Sequence, residues 1–276
     1  MMAVVEYKNN NLILSGIEHF DLCQTLDCGQ AFRWSKTGEN AYSGIAFGRR
    51  LDLQLTKNEL ILKHVSPDEF ETIWKDYFDL GRDYGELHKL FTLHGEELKA
   101  AIAFAPGIRL MRQEPWETLI SFILSQNSNI PRIKKMITAL CENFGEILPC
   151  GGYAFPTPEK LANLTVEDLE PVKSGYRAGY ILDAAKRVND GIINFSEISR
   201  KTSDEALKKL LEIKGVGPKV AECVLLFGLG RIERFPLDVW MKRVMEKYYP
   251  SGFPEGLREY SGIAQQFLFH YERNKM

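Results

Sequence analysis

Leu211-Glu212-Ile213-Lys214-Gly215-Val216-Gly217-Pro218-Lys219-Val220-Ala221 is the stretch on which the rest of this 276-residue chain turns. Upstream of it, Ala206, Leu207, Leu210, Leu211 and Ile213 recur with a helical period. Thr202 with Glu205 three positions later has the form of a capping box, which fixes where that helix starts. Two glycines one residue apart then break it, because glycine adopts φ > 0 without a clash. Pro218 suits the first position of a new helix, where its missing N–H costs nothing. Ala221, Val224, Leu225 and Leu226 carry that second helix forward. The spacing predicts a helix, a tight glycine hairpin and a helix.

Such a hairpin aims the unpaired N–H groups of its second helix at one point, and the positive end of the helix dipole suits a phosphate there. An ordinary corner between two helices would use the same glycines. Two further residues add chemistry. Lys219 stands on the first turn of the second helix, and Asp238 follows in Phe235-Pro236-Leu237-Asp238-Val239-Trp240. A helix of about ten residues rises ~15 Å, and nine loop residues return up to ~30 Å. Both side chains can therefore meet at one mouth. Taken singly, the lysine reads as a solvated charge and the aspartate as an N-cap. Together behind Gly-Val-Gly they point to catalysis.

Composition bounds the rest. The length suits one large or two modest domains with a real core. No run of 18 or more apolar residues appears, so no membrane span is expected. The start, Met1 to Lys8, lacks the form of a signal peptide, which predicts an intracellular protein. The five cysteines, Cys23, Cys28, Cys141, Cys150 and Cys223, are scattered, with no Cys-x-x-Cys pair and no late four-cysteine cluster. Neither a metal site nor an iron–sulfur cluster is expected. Net charge is −2, yet residues 101–276 carry 24 Lys+Arg against 21 Asp+Glu. Local clusters such as Arg132-Lys134-Lys135 and Lys173-Arg177 permit a nucleic-acid face without diagnosing one.

Residues 11–65 are strand-like. Leu51, Leu53 and Leu55 alternate with Asp52, Gln54 and Thr56, a turn at Lys57-Asn58-Glu59 leads into residues 60–65, and residues 41–47 read as a partner strand. Helical period takes over near Pro67, with Phe70, Ile73, Trp74, Tyr77 and Phe78 on one stripe. Helices are expected over 87–103, 116–140 with a break at 126–131, 165–172, 178–188, 202–227, 239–247 and 257–271. The fold class is α+β: a small antiparallel sheet packed on a helical body. The expected division is a sheet domain over 1–105, with helices at its end, and a helical domain over 106–276 holding the hairpin at 203–229.

Five motifs in order, Cys28-Gly29-Gln30-Ala31-Phe32-Arg33-Trp34, Tyr77-Phe78-Asp79-Leu80, Ser125-Gln126-Asn127-Ser128-Asn129, Gly175-Tyr176-Arg177-Ala178 and the hairpin, give the chain a family resemblance. It resembles the 8-oxoguanine DNA glycosylases of the helix–hairpin–helix (HhH-GPD) superfamily over nearly its full length. The resemblance implies a TBP-like sheet domain on an HhH-GPD body, and a base-excision repair enzyme that flips 8-oxoguanine out of duplex DNA. It implies that Lys219 attacks the sugar C1′ and forms a Schiff base, with strand cleavage by β-elimination. That role requires a neutral amine at the moment of attack. Asp238 would stay ionised and stabilise positive charge on the sugar.

The same resemblance implies that the main-chain carbonyl of Gly29 accepts the N7–H that 8-oxoguanine has and guanine lacks. Against guanine two acceptors would face each other, at roughly 1–3 kcal/mol. Phe269 and Cys223 would sandwich the flipped base and Gln265 read its Watson–Crick edge. Asn127 would fill the vacated stack, Arg132 and Arg177 read the opposite cytosine, and Tyr176 wedge beside it. The amides of Gly215, Gly217 and Val220 would hold a phosphate. No cofactor is implied, although related hairpins sometimes carry a cation. The partner would be 8-oxoguanine-containing duplex DNA, the protein a monomer, and its place the nucleoid of a prokaryote or a nucleus. Four positions depart from the family pattern: Trp240 where a histidine is usual, Ser128 within an asparagine run, Pro131 ahead of Arg132, and Gly179 for an arginine. Two other readings stay open: an HhH glycosylase for alkylated bases, which typically lacks the hairpin lysine, and a non-catalytic HhH module that only grips DNA.

Overall fold

A computed structural model describes residues 4–57 and 59–275; Asn58, in the expected 57–59 turn, and Met1 to Ala3 lie outside the described residues. By contact density the chain divides into two compact units, one of residues 1–44, 51–112 and 237–276, the other of 45–50 and 113–236.

The sheet falls in the first unit except for its residues 45–50, which group with the second. Its strands are β1 (Val4–Lys8), β2 (Asn11–Ser15), β3 (Trp34–Gly38), β4 (Ala41–Ala46), β5 (Arg49–Leu55) and β6 (Glu59–Lys63), in the order β1-β2-β6-β5-β4-β3. The pairs β1–β2, β2–β6, β5–β6 and β3–β4 are antiparallel. Alternating leucines fix the register. Leu62 pairs with Leu12 on one side and Leu53 on the other, and all three are fully buried or nearly so. Because side chains alternate faces along a strand, a one-residue slip would turn this row out to water. The row is therefore what pins the sheet.

Two details differ from the sequence reading. A short helix, Leu22–Leu26, interrupts the strand-like stretch, started by the Asp21 carboxylate accepting from Gln24 N at 2.8 Å. Strand β1 was not expected, and all five of its residues are exposed, so it has no buried alternation to read. Past the sheet, Phe70, Trp74, Tyr77 and Phe78 are buried as the stripe requires, Ile73 is only half-buried, and the turn Phe70–Trp74 is wound as a π-helix. Residues 87–103 are two helices, Tyr84–Thr92 and Glu96–Phe104, parted around Gly95 at φ +133°. The unit closes with helices Val239–Tyr248 and Ser261–Asn274, whose Phe267 is buried against Phe91 and His88.

In the second unit, helices Pro115–Ser125 and Ile130–Phe144 flank the expected break, and Pro131 starts the latter helix rather than kinking it. Helix Ala178–Asn189 and hairpin helices Ser203–Leu210 and Pro218–Cys223 follow, the last running on into a π turn at Val224–Gly228. The expected helix over 165–172 is only a 3₁₀ turn at Glu170–Val172. Asp168 instead accepts from the backbone and hydroxyl of Thr165, a local turn that competes with helix. Six antiparallel strands followed by a helical body make the fold α+β, as the pattern predicts.

Candidate active site

The hairpin forms as its residues require. Thr202 and Glu205 make both bonds of the capping box. Gly215 has φ +79°, and a Cβ built on it would lie 2.2 Å from the Tyr180 ring, so two independent constraints demand glycine. Gly217 differs: its φ is −91° and a built Cβ meets nothing within 4 Å. Backbone strain does not explain it; it leaves open space beside the first turn of the second helix. Pro218 occupies that turn, and Ala221 N donates to Gly217 O at 3.0 Å. The amides of Lys219 and Val220 come before that bond, at the end of the helix where N–H groups lack i−4 partners.

Lys219 is half-buried. Its Nζ lies 3.4 Å from Ser125 Oγ and 4.8 Å from the centre of the Phe122 ring. Ser125 donates its own hydroxyl to Phe122 O at 2.8 Å, so toward the lysine it acts as an acceptor. Cys223, one turn along the same helix, is buried.

Three loops meet in this unit. Gln126 Nε2 donates to Gly215 O at 3.1 Å, and Asn127 Nδ2 to the Tyr176 hydroxyl at 3.1 Å. Tyr176, more than half exposed, packs edge-on to Tyr180. Asn127 is held at φ +47°. Arg177 is buried, with its guanidinium donating to the carbonyls of Gln126, Asn127 (3.2 Å) and Ser174 (2.9 Å). In this arrangement it clamps the loop that carries Asn127. Reading a cytosine edge with Arg177 would mean exchanging some of these bonds. Arg132, by contrast, is exposed on the first turn of its helix, behind the Asn129 cap.

The first unit holds the other predicted residues. Asp238 caps its own helix, accepting from Met241 N at 2.9 Å, so one carboxylate oxygen is fixed. Trp240 has Arg243 over its ring at 5.1 Å. Gly29 sits at φ +95°. The fully buried Gln30 beside it donates to the carbonyls of Thr25 (2.9 Å) and Arg109 (2.8 Å) and accepts from Met111 N (2.9 Å). Burial pushes the Cys28 thiol up to about 11, keeping it protonated. Gln265 is buried and Phe269 half-buried on the C-terminal helix.

Residues 12–119 match the N-terminal domain of 8-oxoguanine DNA glycosylase, and residues 120–255 the HhH-GPD superfamily of base excision DNA repair proteins. An N-glycosylase/DNA lyase of Saccharomyces cerevisiae is 33% identical, over 89% of this chain and 72% of that protein. The chain belongs to the 8-oxoguanine DNA glycosylase family. Two solved members of this glycosylase family superpose on it. MBOgg1, solved in complex with a low-affinity DNA ligand, is 41% identical with a TM-score of 0.92, covering 100% of this chain and 99% of that one. The 8-oxoguanine glycosylase/lyase of Clostridium acetobutylicum, solved with duplex DNA containing cytosine opposite 8-oxoguanine, is 37% identical with a TM-score of 0.92 and the same coverage.

In this glycosylase, reading the sequence missed the supporting residues. Gln126 adjoins Asn127 in a quoted motif yet gave no sign that its side chain reaches the hairpin. Ser125 opens the same motif without any sign that it meets Lys219, and Tyr180 and Phe122 lie on ordinary helical stretches that only the fold brings to Gly215 or Lys219. Among the described residues no group of three or more His, Cys, Asp and Glu side chains is arranged to hold a metal ion. Nor is any described helix long and apolar enough to cross a membrane.

Proposed function

We propose that this protein excises 8-oxoguanine from duplex DNA and nicks the strand, as a bifunctional glycosylase and abasic-site lyase of base-excision repair. The observation that carries the chemistry is Lys219: an amine on the first turn of the hairpin's second helix, lodged between a hydroxyl acceptor and an aromatic face. Membership of a family whose relatives are named N-glycosylase/DNA lyase supports the substrate and both activities.

Nζ attacks C1′ and the glycosidic bond breaks, the base leaving with the bonding pair. Loss of a proton from nitrogen with opening of the sugar ring gives the Schiff base. Removal of a C2′ proton then expels the 3′ phosphate, and water returns the free lysine. Asp238, held by its cap bond, stabilises the positive charge that grows on the sugar. The amides of Gly215, Gly217 and Val220 take a backbone phosphate, for which the open space beside Gly217 leaves room.

Gly29 O accepts N7–H, Gln265 reads the Watson–Crick edge, and Phe269 and Cys223 each contact the flipped base. Asn127 enters the vacated stack, Tyr176 wedges beside it, and Arg132 and Arg177 address the opposite cytosine. The lysine supplies the nucleophile, so the reaction requires no cofactor. The protein acts as a monomer, at the nucleoid or in a nucleus.

Borohydride trapping on duplexes with 8-oxoguanine opposite each of the four bases tests this reading. A covalent protein–DNA band that disappears in Lys219→Gln is expected, strongest opposite cytosine. Base release without a band would indicate a glycosylase that uses water directly.

A further inference from the structure

The last turns of the C-terminal helix reach back to the stretch that holds Gly29. Arg273 donates from both terminal guanidinium nitrogens to consecutive carbonyls, to Asp27 O and to Cys28 O, each at 3.3 Å. Gln266 Nε2 lies 3.4 Å from the same Cys28 oxygen. The Arg273 guanidinium also lies over the Phe269 ring, 5.5 Å from its centre. Arg273 and Phe269 are four residues apart and so share a helix face. One side chain therefore touches the peptide before Gly29 and the aromatic ring assigned to the base.

From this geometry we infer that Arg273 is a positioning residue for lesion recognition, fixing the peptide plane on which discrimination between 8-oxoguanine and guanine depends. The inference rests on the function proposed above.

Gly29 is at φ +95°, and a residue without Cβ has shallow barriers between backbone wells. Its carbonyl direction depends on the peptides on either side. Downstream, the buried Gln30 side chain is fixed by backbone groups from two other segments. Upstream, the Cys28–Gly29 peptide is held through its oxygen by Arg273 and Gln266. Without the guanidinium, that oxygen keeps the Gln266 donor at 3.4 Å but loses its charged one, so the peptide is held less firmly and Gly29 turns more easily with it. A carbonyl that wanders no longer meets N7–H squarely, and no longer repels the N7 lone pair of guanine as strongly. A charged planar donor suits the task, since two parallel N–H groups fix orientation as well as distance. A lysine would reach one carbonyl and hold it with less direction.

The test compares wild type with Arg273→Met and Arg273→Lys, methionine keeping an unbranched stem against Phe269 without donors. Each is assayed for excision of 8-oxoguanine opposite cytosine and for strand cleavage at a preformed abasic site, where no base has to be recognised. Arg273→Met is expected to lose about ten- to hundredfold in kcat/KM for 8-oxoguanine, to keep abasic-site cleavage within about twofold, and to be partly rescued by Arg273→Lys. Undiminished 8-oxoguanine excision in Arg273→Met would overturn the inference. Equal loss on both substrates would do so too, because a folding defect strikes both. If wild type cleaves neither substrate, the proposed function itself falls and the inference with it.

Discussion

Gly215 and Gly217 look alike in the sequence and are held for different reasons, which makes them a natural pair to test. Gly215→Ala forces both a left-handed backbone and a collision with Tyr180. It is expected to cost about 2–4 kcal/mol, seen as a lower denaturant midpoint. Gly217→Ala has an ordinary backbone and open space, so stability should change by less than about 0.5 kcal/mol. Its new methyl group would fill the open space proposed for a phosphate, and on that proposal affinity for duplex DNA should fall instead. A second residue-scale prediction concerns His88, whose pKa is lowered from 6.5 to about 4 by burial first, and then by the neighbouring His19 and Arg109. Above about pH 6.5 it is neutral folded or unfolded. Below that the unfolded chain takes the proton first, so stability falls as pH drops from 6.5 toward 4. His88→Phe should flatten this slope in melting curves recorded across that range. At this scale the sequence spoke clearly where a residue acts on its own backbone, as Asp238 does at its cap. It was silent where a side chain crosses to another loop: nothing local distinguishes Gln126, Tyr180 or Arg273.

Among the elements, those set by local signals were legible. The capping box, the Gly-Pro start and the leucine alternation of β2, β5 and β6 each carry their own instructions, and the structure follows them. Thr202→Ala removes the cap acceptor of the first hairpin helix and should cost about 1 kcal/mol, measured by urea unfolding. Because that helix leads into the hairpin, faster amide exchange in residues 203–210 should accompany it. Elements whose signal is carried by partners were not legible. Strand β1 has no buried face and exists through its ladder to β2, Val5 opposite Leu14 and Tyr7 opposite Leu12. Residues 165–172 have enough apolar spacing for a helix, but the Asp168–Thr165 bonds offer the backbone a cheaper turn.

At the scale of the molecule, chain order and compact units do not coincide. The sheet-bearing unit takes its last helices from residues 237–276, and Phe267, fully buried between Phe91 and His88, belongs to its core. A chain ending at Pro236 should therefore lose the fixed packing of that unit, with near-UV circular dichroism collapsing and hydrophobic dye bound. The cysteines divide by burial in a way that bears on where this enzyme must work. Cys23 and Cys150 are exposed, whereas Cys28, beside the carbonyl assigned to lesion recognition, is buried and protonated. Peroxide attacks thiolates, and a thiol near pKa 11 offers about one thiolate in ten thousand at neutral pH. Under the same oxidative stress that makes its substrate, peroxide would reach the exposed Cys23 and Cys150 before the buried, protonated Cys28.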